Sequence, residues 1–265
     1  MTTCLPSRAM ADAKLDSKPQ GPKAFVPQDF AAYEERRQRD PEYNGFRLIV
    51  RRKLDAHGKA ALRDLAATKG IDLTSRTSLN HPHATNQNRV SSQLVYLSRS
   101  AKAKKALGSI VGPVLSKDVD THYIQTTLGL QVDAQGLEQA LRIHKLAFWD
   151  GLNLKNRVRA VAEMDHLGDI LNGMQGGFTL FMDTWKKEYR CGEIAPEELA
   201  RYFQSYQPGE HWLHLRRRFS IMEAGHEDIQ VKVRDGFREL ADVYAFATWS
   251  PENDHLFDAD GRMRR

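Results

Sequence analysis

The sequence contains little cysteine and no long apolar run. Cys4 and Cys191 are its only cysteines, so neither a disulfide scaffold nor a cysteine-based zinc site is expected. No segment approaches the roughly 18 consecutive apolar residues of a membrane helix. The first 25 residues have lysines and prolines but no apolar central run, which argues against an ordinary signal peptide. We therefore expect a cytoplasmic protein without a membrane segment.

The common catalytic and nucleotide-binding motifs are also absent from the sequence. Neither G-x-x-x-x-G-K-S/T nor G-x-G-x-x-G occurs, and H-E-x-x-H and G-x-S-x-G are missing as well. His226 is followed by Glu227, but Gln230 stands where the second histidine of a metalloprotease helix would fall. The sequence alone therefore does not specify a reaction.

The net charge of +5 comes from the two ends of the chain. Residues 1–25 carry a net charge of +2 and residues 261–265 carry +3, which leaves residues 26–260 neutral. Basic tails raise the non-specific affinity for polyanions, but they say little about what the folded part binds. We expect a disordered tail over 1–25, a main domain over 26–260 and a basic tail over 261–265. Residues 150–260 form a semi-independent, helix-rich lobe in an alternative division of the chain.

Hydrophobic periodicity predicts a mixed α+β fold. The sheet is expected to be antiparallel, with four to five strands and with helices packed on its apolar face. A polar loop is expected over 71–89, between the first helix and the first strand. The predicted helices cover 41–69 (interrupted at Gly58), 101–107, 147–163, a segment from 196 and 227–248, and the predicted strands cover 90–98, 124–132, 137–144, 178–183 and 211–219.

A hairpin centred on Ala134-Gln135 is the clearest local signal. This centre predicts that cross-strand partners have residue numbers that add up to about 269. One face of the hairpin is then apolar and the other polar, as in an antiparallel sheet that is covered on one side. The apolar face contains Ile124, Leu128, Leu130, Val132, Leu137, Leu141 and Ile143, and the polar face contains Tyr123, Gln125, Thr127, Gln131, Glu138, Arg142 and His144.

Two histidines in the polar loop are candidate metal ligands. His81 and His83 flank a proline, and two histidines separated by one residue can both bind a metal from an extended backbone. Asn80 and Arg89 nearby are candidates for binding a phosphate or carboxylate. A solvated loop rich in turn-forming residues is the alternative interpretation.

A second cluster, Asp118, Asp120 and His122, has alternating spacing. Alternate residues of an extended segment point to the same side, so two carboxylates and an imidazole are able to converge on a divalent metal. A helix cap followed by a strand with exposed acids explains the same pattern.

His144 and Asp150 are candidate catalytic residues. His144 ends the predicted hairpin and Asp150 begins the following helix, which places an imidazole and a carboxylate at one end of the sheet. The alternative is a capping aspartate beside an exposed histidine at the end of a strand.

The segment 211–219 places an aromatic ring and cationic groups on one side of a strand. Trp212, His214, Arg216 and Arg218 alternate, and this combination suits stacking on bases or binding phosphates. Arg142 extends this set if the strand joins the hairpin. The alternative is a polar outer face whose arginines pair with the many acidic residues of the chain.

Three functional hypotheses follow from these clusters. The first is a protein that binds an anionic ligand, either nucleic acid or a phosphorylated molecule, on the polar strand face. The second is a metal-assisted hydrolase with a divalent metal and with Asp150 as the general base. The third is a non-catalytic factor that assembles with a protein partner. The metal ligands of the second hypothesis are His81, His83, Asp120, His122 and His144.

Overall fold

A computed structural model of the protein describes residues 23–115, 124–258, 260 and 262. These residues form one seven-stranded antiparallel sheet with the strand order β1-β2-β3-β4-β7-β5-β6. The strands are β1 (Leu73–Thr77), β2 (Ser92–Arg99), β3 (Thr127–Asp133), β4 (Gly136–Ile143), β5 (Thr179–Met182), β6 (Tyr189–Arg190) and β7 (Leu213–Phe219). The α-helices are α1 (Pro27–Ala31), α2 (Asn44–Lys69), α3 (Ala101–Leu115), α4 (Phe148–Arg157), α5 (Val161–Gly173), α6 (Pro196–Ser205), α7 (Ile221–Ala224) and α8 (Ile229–Ala247).

The α+β class and the antiparallel sheet are confirmed, but the predicted number of four to five strands is wrong. The two additional strands are β1 and β6. β1 lies inside the segment predicted as a polar loop, and Leu73 is its only buried residue. Its sequence therefore lacks the apolar alternation of a covered strand. β6 has two residues, which is too short to produce a period at all.

One face of the sheet is apolar and is covered by helices, as predicted. α2 packs on β1, β2 and β3, and α8 packs on β3 and β4 and against α2. Burial of this face is the main source of stability, because removing apolar surface from water contributes about 25 cal/mol per Å². The central strands supply the buried side chains Leu128, Leu130, Val132, Leu137, Leu141, Ile143, Leu213, Leu215 and Phe219.

Helix α2 is continuous through Gly58, where the sequence indicated an interruption, and it begins at Asn44 instead of Pro41. It follows a turn in which the Asp40 carboxylate accepts a hydrogen bond from the Glu42 backbone N–H at 2.9 Å. The helix ends at Gly70, which has the left-handed backbone that commonly terminates a helix. Gly58 does not interrupt it: a Cβ there would lie 2.6 Å from Val95 Cγ2, so the glycine lets the helix approach β2 closely.

The hairpin of β3 and β4 has the predicted register. Leu128 pairs with Leu141 and Val132 pairs with Leu137. Ile124, which the sequence pattern assigns to the apolar face, lies before β3 and belongs to no strand. On the far side of the hairpin, β4 pairs with β7, so the sheet joins segments from both halves of the chain.

The ends of several other helices differ from the predicted ends by at least one helical turn. The Lys-rich helix α3 extends to Leu115, and the single helix expected over 147–163 is two helices, α4 and α5. Phe25, at the end of the predicted tail, is buried, and its N–H donates to the carbonyl oxygen of Ala224 at 3.0 Å. No helix in the described part of the chain has both the length and the apolar character needed to cross a membrane.

Replacement of Gly136 by alanine is expected to destabilise the protein strongly. Gly136 has φ +146°, and a Cβ there would lie 2.2 Å from the Phe219 carbonyl oxygen of β7. Gly177 also has a positive φ, of +72°, but no atom lies within 4 Å of the position that its Cβ would take, so Gly177→Ala isolates the backbone penalty. We expect Gly136→Ala to lower the free energy of unfolding by about 1–3 kcal/mol more than Gly177→Ala does. Urea denaturation measures both values, and equal losses would contradict the close approach of β7.

Candidate functional site

The face of the sheet opposite the helices contains a pocket of about 500 Å³. We call it the polar-face pocket. Three neighbouring strands supply most of its wall, since Thr127 of β3 pairs with Arg142 of β4 and Arg142 pairs with His214 of β7. The full lining consists of Leu94, Thr127, Gln131, Glu138, Arg142, His144, Phe181, Asp183, Trp212, His214 and Arg216.

Aromatic rings form one side of the polar-face pocket. The Trp212 indole is parallel to the His214 ring, with the centroids 5.3 Å apart. The His214 ring also stacks on Phe181 at 4.7 Å, and the His144 ring meets the Trp212 indole edge-on at 3.8 Å. The Arg216 guanidinium lies 4.1 Å from the centre of the Phe181 ring. This wall therefore offers flat apolar surface beside a cation.

Glu138 holds the arginines of this face in place. Its carboxylate accepts hydrogen bonds from Arg142 at 2.5 Å, from Arg218 at 3.1 Å and from Arg216 at 3.5 Å. Arg216 also pairs with Glu188 at 2.9 Å. The two arginines of the lining are balanced by the two carboxylates of the lining, so the pocket has no net positive charge.

His214 is neutral at physiological pH. Burial, assisted by the positive charge of Arg142 and Arg216, lowers the pKa of His214 to about 4. Nearby Glu138 and Asp183 oppose this shift without overcoming it. The imidazole therefore contributes a ring surface and neutral hydrogen-bonding nitrogens, and not a cation.

Five of the predicted site residues line the same pocket, although the sequence assigned them to two clusters. Arg218 does not line it: Arg218 lies on the same face, and its guanidinium donates to both carboxylate oxygens of Asp133 at 2.7 and 2.8 Å. For Arg218, the structure therefore resembles the alternative interpretation, an outer-face arginine paired with acids. The five that line the pocket are Arg142, His144, Trp212, His214 and Arg216.

Asp150 occupies a different environment from the one expected of a general base. It is fully buried and forms an ion pair with Arg99, whose Nη1 donates to Asp150 Oδ2 at 2.8 Å. The carboxylate also accepts from the backbone N–H groups of Thr126 at 2.8 Å and Trp249 at 3.0 Å. Burial alone would raise the pKa of Asp150, but Arg99 and these donors lower it below its usual value. These contacts favour a structural role for Asp150.

The histidine loop is shaped by a tight turn. The turn starts at Pro82, and His81 Nδ1 accepts a hydrogen bond from the His83 N–H at 3.3 Å. The two rings are exposed and 5.2 Å apart. Asn80 Oδ1 accepts from Arg51 at 3.4 Å. Arg89 is exposed, and its carbonyl oxygen accepts from the Thr85 hydroxyl at 2.8 Å.

The metal-site hypothesis has no ligand set within the described residues. Residues 23–115 and 124–258 contain no group of three His, Cys, Asp or Glu side chains arranged to hold a metal ion. His81 and His83 therefore have no described third ligand. Asp118, Asp120 and His122 lie outside the described residues.

Sequence analysis missed Phe181, Asp183 and Leu94 as lining residues. Phe181 stands on β5, which pairs with β7 and brings the ring next to His214. In the predicted strand 178–183, alternation places Phe181 on the face opposite its buried neighbours Leu180 and Met182. The sequence therefore contained a signal that Phe181 lies on the polar face. The pairing of β5 with β7 could not be read from the sequence.

The comparisons with known proteins do not identify relatives. No protein-family model matches the chain, and no curated protein is similar enough to count as a relative. Proposals about function therefore depend on the geometry of the molecule.

Removal of the Asp150 charge is expected to cost about 3–5 kcal/mol of the free energy of unfolding, because it leaves Arg99 buried without a counter-ion. Asp150→Asn, studied by urea denaturation, tests this value. Asp55→Asn serves as the control, because its partner Lys59 is 61% exposed, and an exposed pair contributes less than about 1 kcal/mol. Similar losses for the two variants would rule out the structural role of Asp150.

Acid is expected to destabilise the protein partly through His214. An unfolded histidine has a pKa near 6.5, whereas His214 in the folded protein has a pKa of about 4. Between these values the unfolded chain binds a proton that the folded chain does not, so stability falls as the pH falls through this window. When the pH is lowered from 7 to about 4.5, the free energy of unfolding of His214→Gln should fall by about 1–2 kcal/mol less than that of the wild type. Denaturant unfolding measures both values. Parallel curves for the two proteins would contradict the low pKa.

Proposed function

We propose that the protein binds a small phosphorylated molecule with a planar ring in the polar-face pocket. One observation carries this proposal: Arg142, Arg216, Trp212 and His214 line a single pocket between the strands. The ring of the ligand stacks on the aromatic wall, and the phosphate accepts hydrogen bonds from the guanidinium groups. In this role the protein is a cytoplasmic binding protein, and its location remains a prediction from the sequence.

The size and shape of the pocket support a small ligand. Small-molecule sites in proteins are concave and enclose about 300–1,000 Å³, and the value of about 500 Å³ falls in this range. Aromatic surface with a few convergent polar groups is typical of such sites. Trp212 is only partly buried, and its indole, which stacks on His214, is the aromatic surface that the ring of a ligand is able to contact.

The arginines retain hydrogen-bond donors for a ligand. Arg142 donates to Gln131 and Glu138 through Nη2 alone, and Arg216 donates to Glu138 and Glu188 through its two terminal nitrogens. A guanidinium has five N–H groups, so each arginine has donors beyond those bonds. Glu138 fixes the orientation of both side chains, which reduces the entropy lost when a ligand binds.

The charge balance favours a ligand with one phosphate over a long nucleic acid. Tight binding of a polyanion depends on several unneutralised cations along the strand. The lining of the polar-face pocket has as many carboxylates as guanidinium groups. No contact within the described residues favours the hydrolase or the assembly factor over this binding role, and both remain predictions from the sequence.

Calorimetric titration with nucleoside monophosphates, the parent nucleosides and inorganic phosphate tests the proposal. We expect saturable binding of a monophosphate and at least about tenfold weaker binding of the nucleoside, because charge-assisted hydrogen bonds are lost. Trp212→Ala and Arg142→Ala are each expected to weaken the binding by about tenfold or more, since stacking contributes about 1–3 kcal/mol.

Arg190→Ala is the matched control for these variants. It removes the same charge from the same face of the sheet, because the strand partner of Arg190 is Thr179, two residues before Phe181. Arg190 does not line the pocket, its side chain is 70% exposed, and its ion pair with Glu193 is long, at 3.9 Å. The affinity of this variant should stay within about twofold of the wild type, since exposed pairs contribute little. If no monophosphate binds, or if Arg190→Ala weakens binding as much as Arg142→Ala, the proposal fails.

A further inference from the structure

A second groove, about 500 Å³ in volume, lies between the first half of α2 and strand β1. We call it the β1 groove. We propose that the β1 groove is a separate anion site that binds a phosphate-bearing ligand through Arg51, Arg52 and Arg76. The groove is lined by Leu48, Arg51, Arg52, Asp55, Ser75, Arg76, Thr77 and Leu79.

The β1 groove has the net positive charge that the polar-face pocket lacks. Three guanidinium groups line it against a single carboxylate, that of Asp55. Asp55 is itself neutralised by Lys59, one helical turn away, with Nζ and Oδ2 2.7 Å apart. A ligand with two negative charges therefore matches the groove.

The arginines of the groove are not occupied by other parts of the described chain. Arg52 and Arg76 are exposed, and neither side chain forms a hydrogen bond or an ion pair with any described residue. Arg51 donates to Asn80 Oδ1 at 3.4 Å, a long and weak bond. On the polar face, in contrast, Arg142, Arg216 and Arg218 all pair with Glu138.

Backbone geometry brings these cations together from two elements. Arg51 and Arg52 lie on α2, one turn before Asp55. Ser75 and Thr77 belong to the covered side of β1, because their partners Leu97 and Val95 belong to the apolar core. β1 is the edge of the sheet formed by the described residues. Arg76 alternates with Ser75 and Thr77 along this strand and lines the groove at the edge.

The hydroxyl of Thr77 lies behind the surface of the groove. Thr77 lines the groove, but its Oγ1 atom is buried and has no hydrogen-bond partner among the described residues. Because the atom is covered, a ligand contacts it only after the side chain rotates toward the groove. The guanidinium groups are therefore the donors that a phosphate meets.

Phosphate is the group that best fits these donors. Planar guanidinium groups bind phosphate oxygens in pairs, and serine and threonine hydroxyls add single donors. The same group occurs on a free phosphorylated small molecule and along a nucleic acid backbone. Both sources present the chemistry that the β1 groove recognises, and two probes separate them.

The test uses the full-length protein with two probes at constant ionic strength. Inorganic pyrophosphate is titrated by calorimetry, and a fluorescein-labelled single strand of twelve nucleotides is followed by anisotropy. Pyrophosphate is expected to saturate one site. The double variant Arg52→Ala/Arg76→Ala is expected to bind pyrophosphate at least about tenfold more weakly, because charge-assisted hydrogen bonds are removed.

Arg63→Ala/Lys102→Ala is the control with the same loss of charge. Both residues are exposed and lie outside the groove, on α2 and α3, so pyrophosphate affinity should remain within about twofold of the wild type. Arg142→Ala separates this site from the polar-face pocket and should leave pyrophosphate binding intact. The proposal would be overturned if pyrophosphate showed no saturable binding. It would also be overturned if Arg63→Ala/Lys102→Ala lost as much pyrophosphate affinity as Arg52→Ala/Arg76→Ala.

The oligonucleotide identifies the source of the phosphate. Tighter binding of the oligonucleotide than of pyrophosphate, lost in Arg52→Ala/Arg76→Ala, supports the site and assigns it to a nucleic acid backbone. Oligonucleotide binding that is absent or insensitive to this variant, together with sensitive pyrophosphate binding, supports the site and assigns it to a free phosphorylated molecule. Melting temperatures of all variants check that the fold is intact.

Discussion

The buried ion pair between Arg99 and Asp150 connects four distant segments of the chain. Arg99 ends β2, Thr126 precedes β3, Asp150 lies in the first turn of α4, and Trp249 follows α8. An isolated charge in such a site costs several kcal/mol, so the pair and its backbone donors have to form together. The turn before α4, which carries His144 into the polar-face pocket, is therefore positioned by contacts outside that pocket.

The two cavities with arginines differ in how the positive charge is compensated. On the polar face, Glu138 shares its carboxylate among three arginines, which orients them and neutralises part of their field. In the β1 groove the carboxylate is bound by a lysine instead, and two arginines have no partner among the described residues. The first arrangement suits recognition by shape and stacking. The second suits attraction by charge, which weakens as the salt concentration rises.

Local patterns predicted the elements well, and long-range pairing explains most of the differences. The turn at Ala134-Gln135 gave the correct register of β3 and β4, because the apolar alternation was strong on both strands. β1 was missed because an edge strand with one buried residue leaves little periodicity. Asp150 resembled a candidate base because its partner Arg99 is far away in sequence. Arg52 and Arg76 carried no motif, and only the packing of α2 beside β1 places them in one groove.

The pairing of β4 with β7 has a consequence for how the chain is made. β4 ends at Ile143, but its partner strand begins only at Leu213, so α4, α5, β5, β6 and α6 are synthesised first. Until β7 emerges from the ribosome, the free edge of β4 exposes unpaired backbone groups next to apolar side chains. Such edges promote association between nascent chains. The interval between synthesis of β4 and synthesis of β7 is therefore the period in which protection of this edge by a chaperone would matter most.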